Sequence, residues 1–118
     1  MAQVNPMDFS FHLKKDDLEP PLRIQVIDSD TDEAFDLTGY TGTFSMANKD
    51  TRSTLKVSAQ AVNITDATNG KAEYRWQSGD TNTAGNYIFE FKFTTATRKF
   101  TVPVVSPGVV VIESKIGS

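Results

Sequence analysis

The 118-residue sequence contains no cysteine and a single histidine, His12. Without cysteine there is no thiol nucleophile, no cysteine-ligated zinc and no disulfide framework. With one histidine a three-histidine metal site is excluded, and a Ser-His-Asp arrangement could be built only on His12. His12 lies close to the chain end, far from any recognisable nucleophile motif. We therefore predict a protein without enzymatic activity and without a cofactor.

The sequence also lacks an apolar run long enough to cross a membrane, and its first residues lack the basic and apolar regions of a signal peptide. It has only 12 Lys and Arg residues, interspersed among 15 Asp and Glu residues, for a net charge of −3. Because nucleic-acid surfaces depend on clustered basic side chains, neither a nucleic acid nor a membrane is expected as a partner.

Apolar residues recur at every second position through most of the chain, which is the period of a β-strand with one buried face. Turn-forming residues separate these stretches, and no window has the spacing of an amphipathic helix. The pattern predicts an all-β fold, an antiparallel β-sandwich of about seven to eight strands. The alternating stretches are LRIQVID (22–28), TGTFSM (41–46), KAEYRWQ (71–77), NYIFEFKF (86–93) and RKFTVPVV (98–105).

The length fits one domain. We expect an N-terminal arm over residues 1–15 with room for a short strand, the sandwich over 16–114 and a C-terminal tail over 115–118. Aromatic residues lie on one side of the short strand, and a continuous apolar run follows the Pro-Gly turn near the C-terminus. A run that is apolar on both faces must be covered on both faces. The candidate assembly residues are therefore Phe9, Phe11, Val109, Val110, Val111 and Ile112.

The acidic loop DSDTDE has carboxylates at alternate positions, as the start of a calcium-binding loop does. A helix-loop-helix calcium site needs Gly at its sixth position and Glu at its twelfth, whereas Glu33 and Gly39 stand there and the flanking segments are strands. That motif is excluded. A looser calcium site built from Asp28, Asp30 and Asp32 with another loop is one interpretation, and a solvated hairpin turn is the other.

The stretch AEYRWQSGDTNTAGNYIFEFKF, residues 72–93, places Asp80, Asn82 and two threonines beside aromatic residues. This polar cluster could be an active site, a metal loop or a turn between two strands. In immunoglobulin-like sandwiches, a Tyr at the start of the penultimate strand sends its hydroxyl back to the backbone of the preceding turn. The residue order around Tyr87 fits that arrangement, so we predict a structural turn.

Surface aromatics would be needed for a sugar-binding platform, and Tyr40 with Trp76 or Tyr74 is the first pair to consider. Tyr74 and Trp76 share a strand face with Ala72, however, so the pattern favours their packing in the core.

Several segments in chain order carry a family resemblance. They are FHLKKDDLEPPLRIQVID, FDLTGYTGTFSM and NGKAEYRWQSGDTNTAGNYIFEFKFTT, followed by the strand around Phe100 to Val104. In this order they resemble the immunoglobulin-like N-terminal domain of phage baseplate upper proteins and related tail proteins. Gly42 stands where that family has a β-branched residue, which indicates a bulge or a close neighbour. The matching motif positions are Asp36, Leu37, Thr38, Gly39, Tyr74, Trp76, Gly79, Asp80, Thr81, Ala84, Gly85 and Tyr87.

The resemblance implies an immunoglobulin-like β-sandwich that serves as a non-enzymatic bacteriophage virion protein of the baseplate or tail. It implies assembly through sheet edges and terminal segments with copies of itself and with other virion proteins. The motif residues would then be folding determinants. The alternatives are a capsid decoration protein and a carbohydrate-binding module that attaches the particle to a host glycan.

Overall fold

The computed structural model describes residues 2–5, 10–28, 30–51, 53–102 and 108–116, and these form strands, turns and loops without a helix. The predicted all-β class is confirmed. Among these residues there is accordingly no helix that could span a membrane. The strands are β1 (Ala2–Asn5), β2 (Ser10–Lys14), β3 (Leu22–Asp28), β4 (Glu33–Ala34), β5 (Thr41–Asn48), β6 (Leu55–Asp66), β7 (Lys71–Tyr74), β8 (Gly85–Thr94), β9 (Lys99–Val102) and β10 (Gly108–Glu113).

The strands form one curled sheet in the order β1-β3-β7-β6-β5-β8-β10-β2, with β4 beside β3 and β9 beside β8. The long strand β6 joins the two halves, because residues 55–62 pair with β5 and residues 63–66 pair with β7. Neighbouring strands are antiparallel except β2 and β10, which are parallel. The described part of the chain therefore has more strands than the seven to eight predicted, and one pair differs in direction.

The strand β6 was not expected from the sequence, because LKVSAQAVNITD lacks a clear apolar alternation. The four residues from Ser58 to Ala61 are all exposed. At this point the strand leaves one half of the sheet for the other, and Ala59 has a φ of 47° beside a break in the register with β5. The Ala59 N–H donates to Ser45 Oγ at 3.0 Å, so the irregularity is anchored to β5.

Both chain ends contribute strands to the sheet. The predicted N-terminal arm holds β1, which pairs with β3, and β2, which pairs with β10. Leu13 of β2 is 7% exposed, while Val110 and Ile112 of β10 are 0% and 2% exposed. Val110 and Ile112 are thus core residues, and their side chains are not free to form an assembly interface as the sequence suggested.

The two halves of the sheet face each other across a core rich in aromatic rings. Phe44 of β5 stacks on Tyr74 of β7, with ring centroids 4.3 Å apart, and meets Trp76 edge-on at 5.7 Å. Phe89 and Phe91 of β8 also contact Phe44. Full burial of one such side chain contributes about 1.5–3 kcal/mol, so these rings are the main attachment between the halves.

Gly42 lies on the inward side of β5, where the ring of Phe93 fills the space beside it. A Cβ at Gly42 would lie 2.8 Å from Phe93 Cε1 and 3.3 Å from Val62 Cβ. Of the two interpretations of this glycine, a bulge or a close neighbour, the close neighbour is the one found at this position.

We expect Gly42→Val to lower the free energy of unfolding by about 1–3 kcal/mol, the usual cost of overpacking a core. Denaturant unfolding followed by Trp76 fluorescence measures this. Thr43→Val, on the outward side of the same strand, is the control and should change stability by less than about 0.5 kcal/mol. In a double-mutant cycle with Phe93→Leu the losses should be less than additive. Additive losses would show that the Phe93 ring is not the obstacle.

Candidate functional site

The connection between β7 and β8, residues 75–84, gathers the polar cluster noted in the sequence. Asp80 Oδ2 accepts hydrogen bonds from the Tyr74 hydroxyl at 2.5 Å and from the Gln77 N–H at 2.8 Å. Gly79, with a φ of 94°, supplies the left-handed residue that lets the turn fold back. The Asp80 carboxylate is therefore engaged in holding the turn against the end of β7.

Thr81 connects this turn to the segment that crosses from β2 to β3. Its hydroxyl donates to the Asp17 carbonyl at 3.0 Å, and its own carbonyl accepts the Asp16 N–H at 2.9 Å. Trp76 Nε1 donates to the Pro20 carbonyl at 3.2 Å in the same segment. Thr81 is 1% exposed, so both of its polar groups are satisfied inside the protein. The sequence marked Thr81 only as a motif position and gave no sign of this role.

Tyr87 closes the other end of the turn. Its hydroxyl donates to the Thr83 carbonyl at 2.8 Å, which is the return bond that the sequence predicted. Asn82 Oδ1 accepts from Lys56 Nζ at 2.5 Å and from the Thr83 hydroxyl at 3.1 Å. Asn82 is thus a turn residue that also touches β6.

The second motif, DLTG, is likewise a turn held by its own side chains. Asp36 Oδ1 accepts the Thr38 N–H at 2.9 Å and the Thr38 hydroxyl at 2.6 Å. Leu37 is fully buried, and Gly39 has a φ of 86°. The hydroxyl bond from Thr38 lowers the pKa of Asp36.

The two buried tyrosines of the corner are neutral acids. Burial raises the pKa of the Tyr74 hydroxyl far above its ordinary value, and the bond to Asp80 adds to the effect. Burial also raises the pKa of Tyr87. Both hydroxyls act as hydrogen-bond donors in this state, and neither is placed to accept a proton near neutral pH.

Glu73 is the single charged residue that is buried among those described. Its carboxylate lies 2.9 Å from Arg75 Nε and 3.5 Å from Arg23 Nε, and Arg75 also pairs with Glu19 at 3.2 Å. Within the described ranges no buried side-chain nitrogen or oxygen lacks a hydrogen-bond partner.

The acidic loop forms the turn between β3 and β4. Asp28 Oδ1 accepts the Asp30 N–H at 2.9 Å, a bond that lowers the pKa of Asp28. The Asp32 N–H donates to the Asp28 carbonyl at 2.7 Å, with Asp32 at a φ of 61°. In the part of the chain that the structure describes, no three His, Asp or Glu side chains come together as metal ligands, and Asp28, Asp30 and Asp32 are no exception.

His12 lies on the outward side of β2 with 58% of its side chain exposed, and its Nδ1 is 3.9 Å from the Glu113 carboxylate. Lys14 Nζ lies 3.4 Å from the same carboxylate. The three side chains form an exposed charged group on the parallel pair β2 and β10.

The proposed sugar-binding pair is not available at the surface. Tyr74 and Trp76 are 1% and 3% exposed, which confirms their assignment to the core, and Tyr40 packs in a different cluster. Among the assembly candidates, Phe11 is half-buried with its ring centroid 6.0 Å from that of Trp76, and Val109 and Val111 are half-buried. Phe9 lies outside the described residues.

An aromatic cluster that the sequence did not reveal closes one end of the molecule. Phe35, Tyr40 and Phe100 are half-buried, with ring centroids 4.9 to 6.0 Å apart. Phe100 also contacts the buried Phe93 at 5.4 Å. The three residues come from separate loops and strands, so no local pattern could have joined them.

Comparison with protein-family models, with curated proteins and with solved structures finds no match.

We expect Tyr87→Phe to lower the free energy of unfolding by about 1 kcal/mol, because the Thr83 carbonyl loses its donor. Tyr40→Phe is the matched control, since the Tyr40 hydroxyl has no hydrogen-bond partner among the described residues. Urea unfolding of both variants measures the difference. Equal stability of the two variants would contradict a structural role for the Tyr87 bond.

Proposed function

We propose that this chain is a non-enzymatic structural protein of a bacteriophage virion, a component or adaptor of the baseplate or tail, built on an immunoglobulin-like β-sandwich. One observation carries the proposal. In residues 74–87, the segment with the closest family resemblance, Tyr74 and Tyr87 bond within the turn, and Trp76 and Thr81 bond to the segment between β2 and β3. Bonds of this kind are what a segment that maintains a scaffold needs.

The strand order supports the immunoglobulin-like assignment. Such sandwiches have one sheet of order A-B-E-D and another containing C-F-G, with a further strand beside C in the variable type. Here β1-β3-β7 and the end of β6 correspond to the first sheet, and the start of β6 with β5-β8-β10 corresponds to the second. Tyr87 then stands on strand F, two residues before Phe89, which takes the place of the second cysteine.

The accessible parts of the fold suit a protein that assembles with others in the particle. β1 and β2 are the end strands of the sheet order. Such edges present backbone groups that can pair with another chain. The outward residues of β10, Val109 and Val111, remain candidates for contact with other virion proteins, whereas Val110 and Ile112 support the fold.

Antibodies raised against the purified chain should label gradient-purified particles of the phage that encodes it, at the tail end, in electron micrographs. Mass spectrometry of the same particles should find the chain in a fixed ratio to known tail proteins. Labelling of the head would instead favour a capsid decoration protein. Presence in the infected cell combined with absence from washed particles would contradict a virion role of either kind.

Attachment to a host glycan is the second candidate, and the aromatic cluster Phe35, Tyr40 and Phe100 is the observation that favours it. Partly exposed aromatic rings bury the apolar face of a sugar, and the Tyr40 hydroxyl has no protein partner among the described residues.

If the aromatic cluster is a glycan site, glycan-array binding should fall at least about tenfold in Tyr40→Ala, the loss expected for a central aromatic contact. Phe11→Ala, a half-buried aromatic away from this cluster, is the control and should bind as the original chain does. Absence of binding by the original chain, or equal binding by Tyr40→Ala, would reject this site.

A further inference from the structure

The outward face of the half-sheet formed by β6, β5, β8 and β10 carries a continuous row of apolar residues. The register pairs Leu55 with Ala47, beside a shift in the β5–β6 register, and it pairs Ala47 with Ile88 and Ile88 with Val109. Each of the four neighbouring strands therefore contributes one apolar residue to a line that crosses the strands. We call these four residues, Leu55, Ala47, Ile88 and Val109, the outer row. Leu55 is 49% exposed and Ile88 and Val109 are half-buried, whereas the small Ala47 between Leu55 and Ile88 is only 5% exposed.

Adjacent positions show that the outer row faces away from the core. Met46, Phe89 and Val110, each next in sequence to a member of the row, are at most 1% exposed. Because successive side chains of a strand point to opposite faces, Ala47, Ile88 and Val109 are on the opposite face. Leu55 joins them through its pairing with Ala47 and is itself exposed. Contiguous apolar groups on a solvent face mark interaction surfaces more often than scattered ones do.

Opposite charges flank the outer row at matching distances. Lys92 lies four residues after Ile88 on β8, and Glu113 lies four residues after Val109 on β10. Since β8 and β10 are antiparallel and Ile88 pairs with Val109, the two charges lie on opposite sides of the row. Both residues are exposed, and Glu113 also lies 3.4 Å from Lys14 Nζ of the neighbouring strand β2.

We propose that the outer row binds a second copy of this chain in a two-fold symmetric, face-to-face dimer. A two-fold axis parallel to the row places the outer row of one copy against the outer row of the other, with the strands of the two copies running in opposite directions. Lys92 of one copy then lies at the same position along the strand direction as Glu113 of the other copy. The two residues are displaced sideways by one strand spacing, about 4.8 Å, which is within reach of a lysine side chain. The symmetry forms this contact twice. Glu90, two residues from Ile88, then lies opposite the uncharged Asn86 of the other copy.

The size of the surface fits a weak dimer. The four strands are together roughly 20 Å wide, and the stretch of strand between the two charged residues is roughly 25 Å long. The buried area summed over both copies is then about 1,000 Å², near the lower limit for specific interfaces. Association of the isolated chain should therefore be reversible and concentration-dependent. It would strengthen where copies are tethered in a particle. The inference deepens the proposed assembly role by naming one partner and its surface.

Sedimentation velocity of the full chain over a wide concentration range tests the apolar contact. Leu55→Asp should weaken self-association at least about tenfold, because it places two carboxylates in the apolar contact. Leu18→Asp is the matched control, since Leu18 is 41% exposed but lies in the segment between β2 and β3. Equal weakening in both variants, or a chain that is monomeric at every concentration, would overturn the proposal.

A charge exchange tests the two-fold arrangement. Lys92→Glu and Glu113→Lys should each weaken the dimer about tenfold by setting like charges together, and the double variant should restore it. Circular dichroism and thermal unfolding establish that each variant is folded. Failure of the double variant to restore the dimer rejects this geometry.

The proposed virion role is tested separately by the content of purified particles. Absence from particles with an intact dimer would overturn only that role. A monomer that cross-links through Leu55→Cys to another particle protein would overturn the second copy as the occupant of the outer row.

Discussion

The ring of Tyr74 is the point at which the core and the polar corner of this protein depend on each other. Its face stacks on Phe44 of the opposite half of the sheet, while its hydroxyl reaches Asp80 in the following turn. A buried tyrosine needs a partner for its hydroxyl, and a turn carboxylate needs donors. Because one residue meets both needs, the position of the turn is fixed by the same contact that joins the two halves.

The residues of this corner also fix a segment that is distant in the sequence. Thr81 and Trp76 hold the segment that leads from β2 into β3, through the carbonyls of Asp17 and Pro20. That segment carries the chain from one half of the sheet to the other, so its course sets where β3 begins. The sequence motif therefore combines bonds within the turn with contacts to a segment distant in the sequence.

The sequence predicted most of what depends on local alternation. The strands around Ile24, Phe44 and Phe89 follow the apolar period, and the Tyr87 bond follows from a Tyr placed after a Gly-containing turn. It did not predict β6, because a strand that pairs with β5 over one part and β7 over the other has no constant buried face. Nor could it predict the parallel pairing of β2 with β10, since these strands lie at opposite ends of the chain and pair by tertiary packing. The same limit applies to the outer row, which exists only once the registers of four strands are known.

Edges and faces of the sheet make different demands on a partner. At the β2 edge, Lys14 is half-exposed and paired with Glu113, and β6 has a break in register at the exposed Ala59, both features that oppose the addition of another strand. The face that carries the outer row is regular across Ala47, Ile88 and Val109, although the register shifts between β5 and β6 beside Leu55, and its charges lie outside the row. An apolar face flanked by opposite charges can bind a copy of itself without unpaired backbone groups. Self-association through the face therefore does not use the β1 and β2 edges, where another chain can still pair, although pairing at β2 would require Lys14 to move.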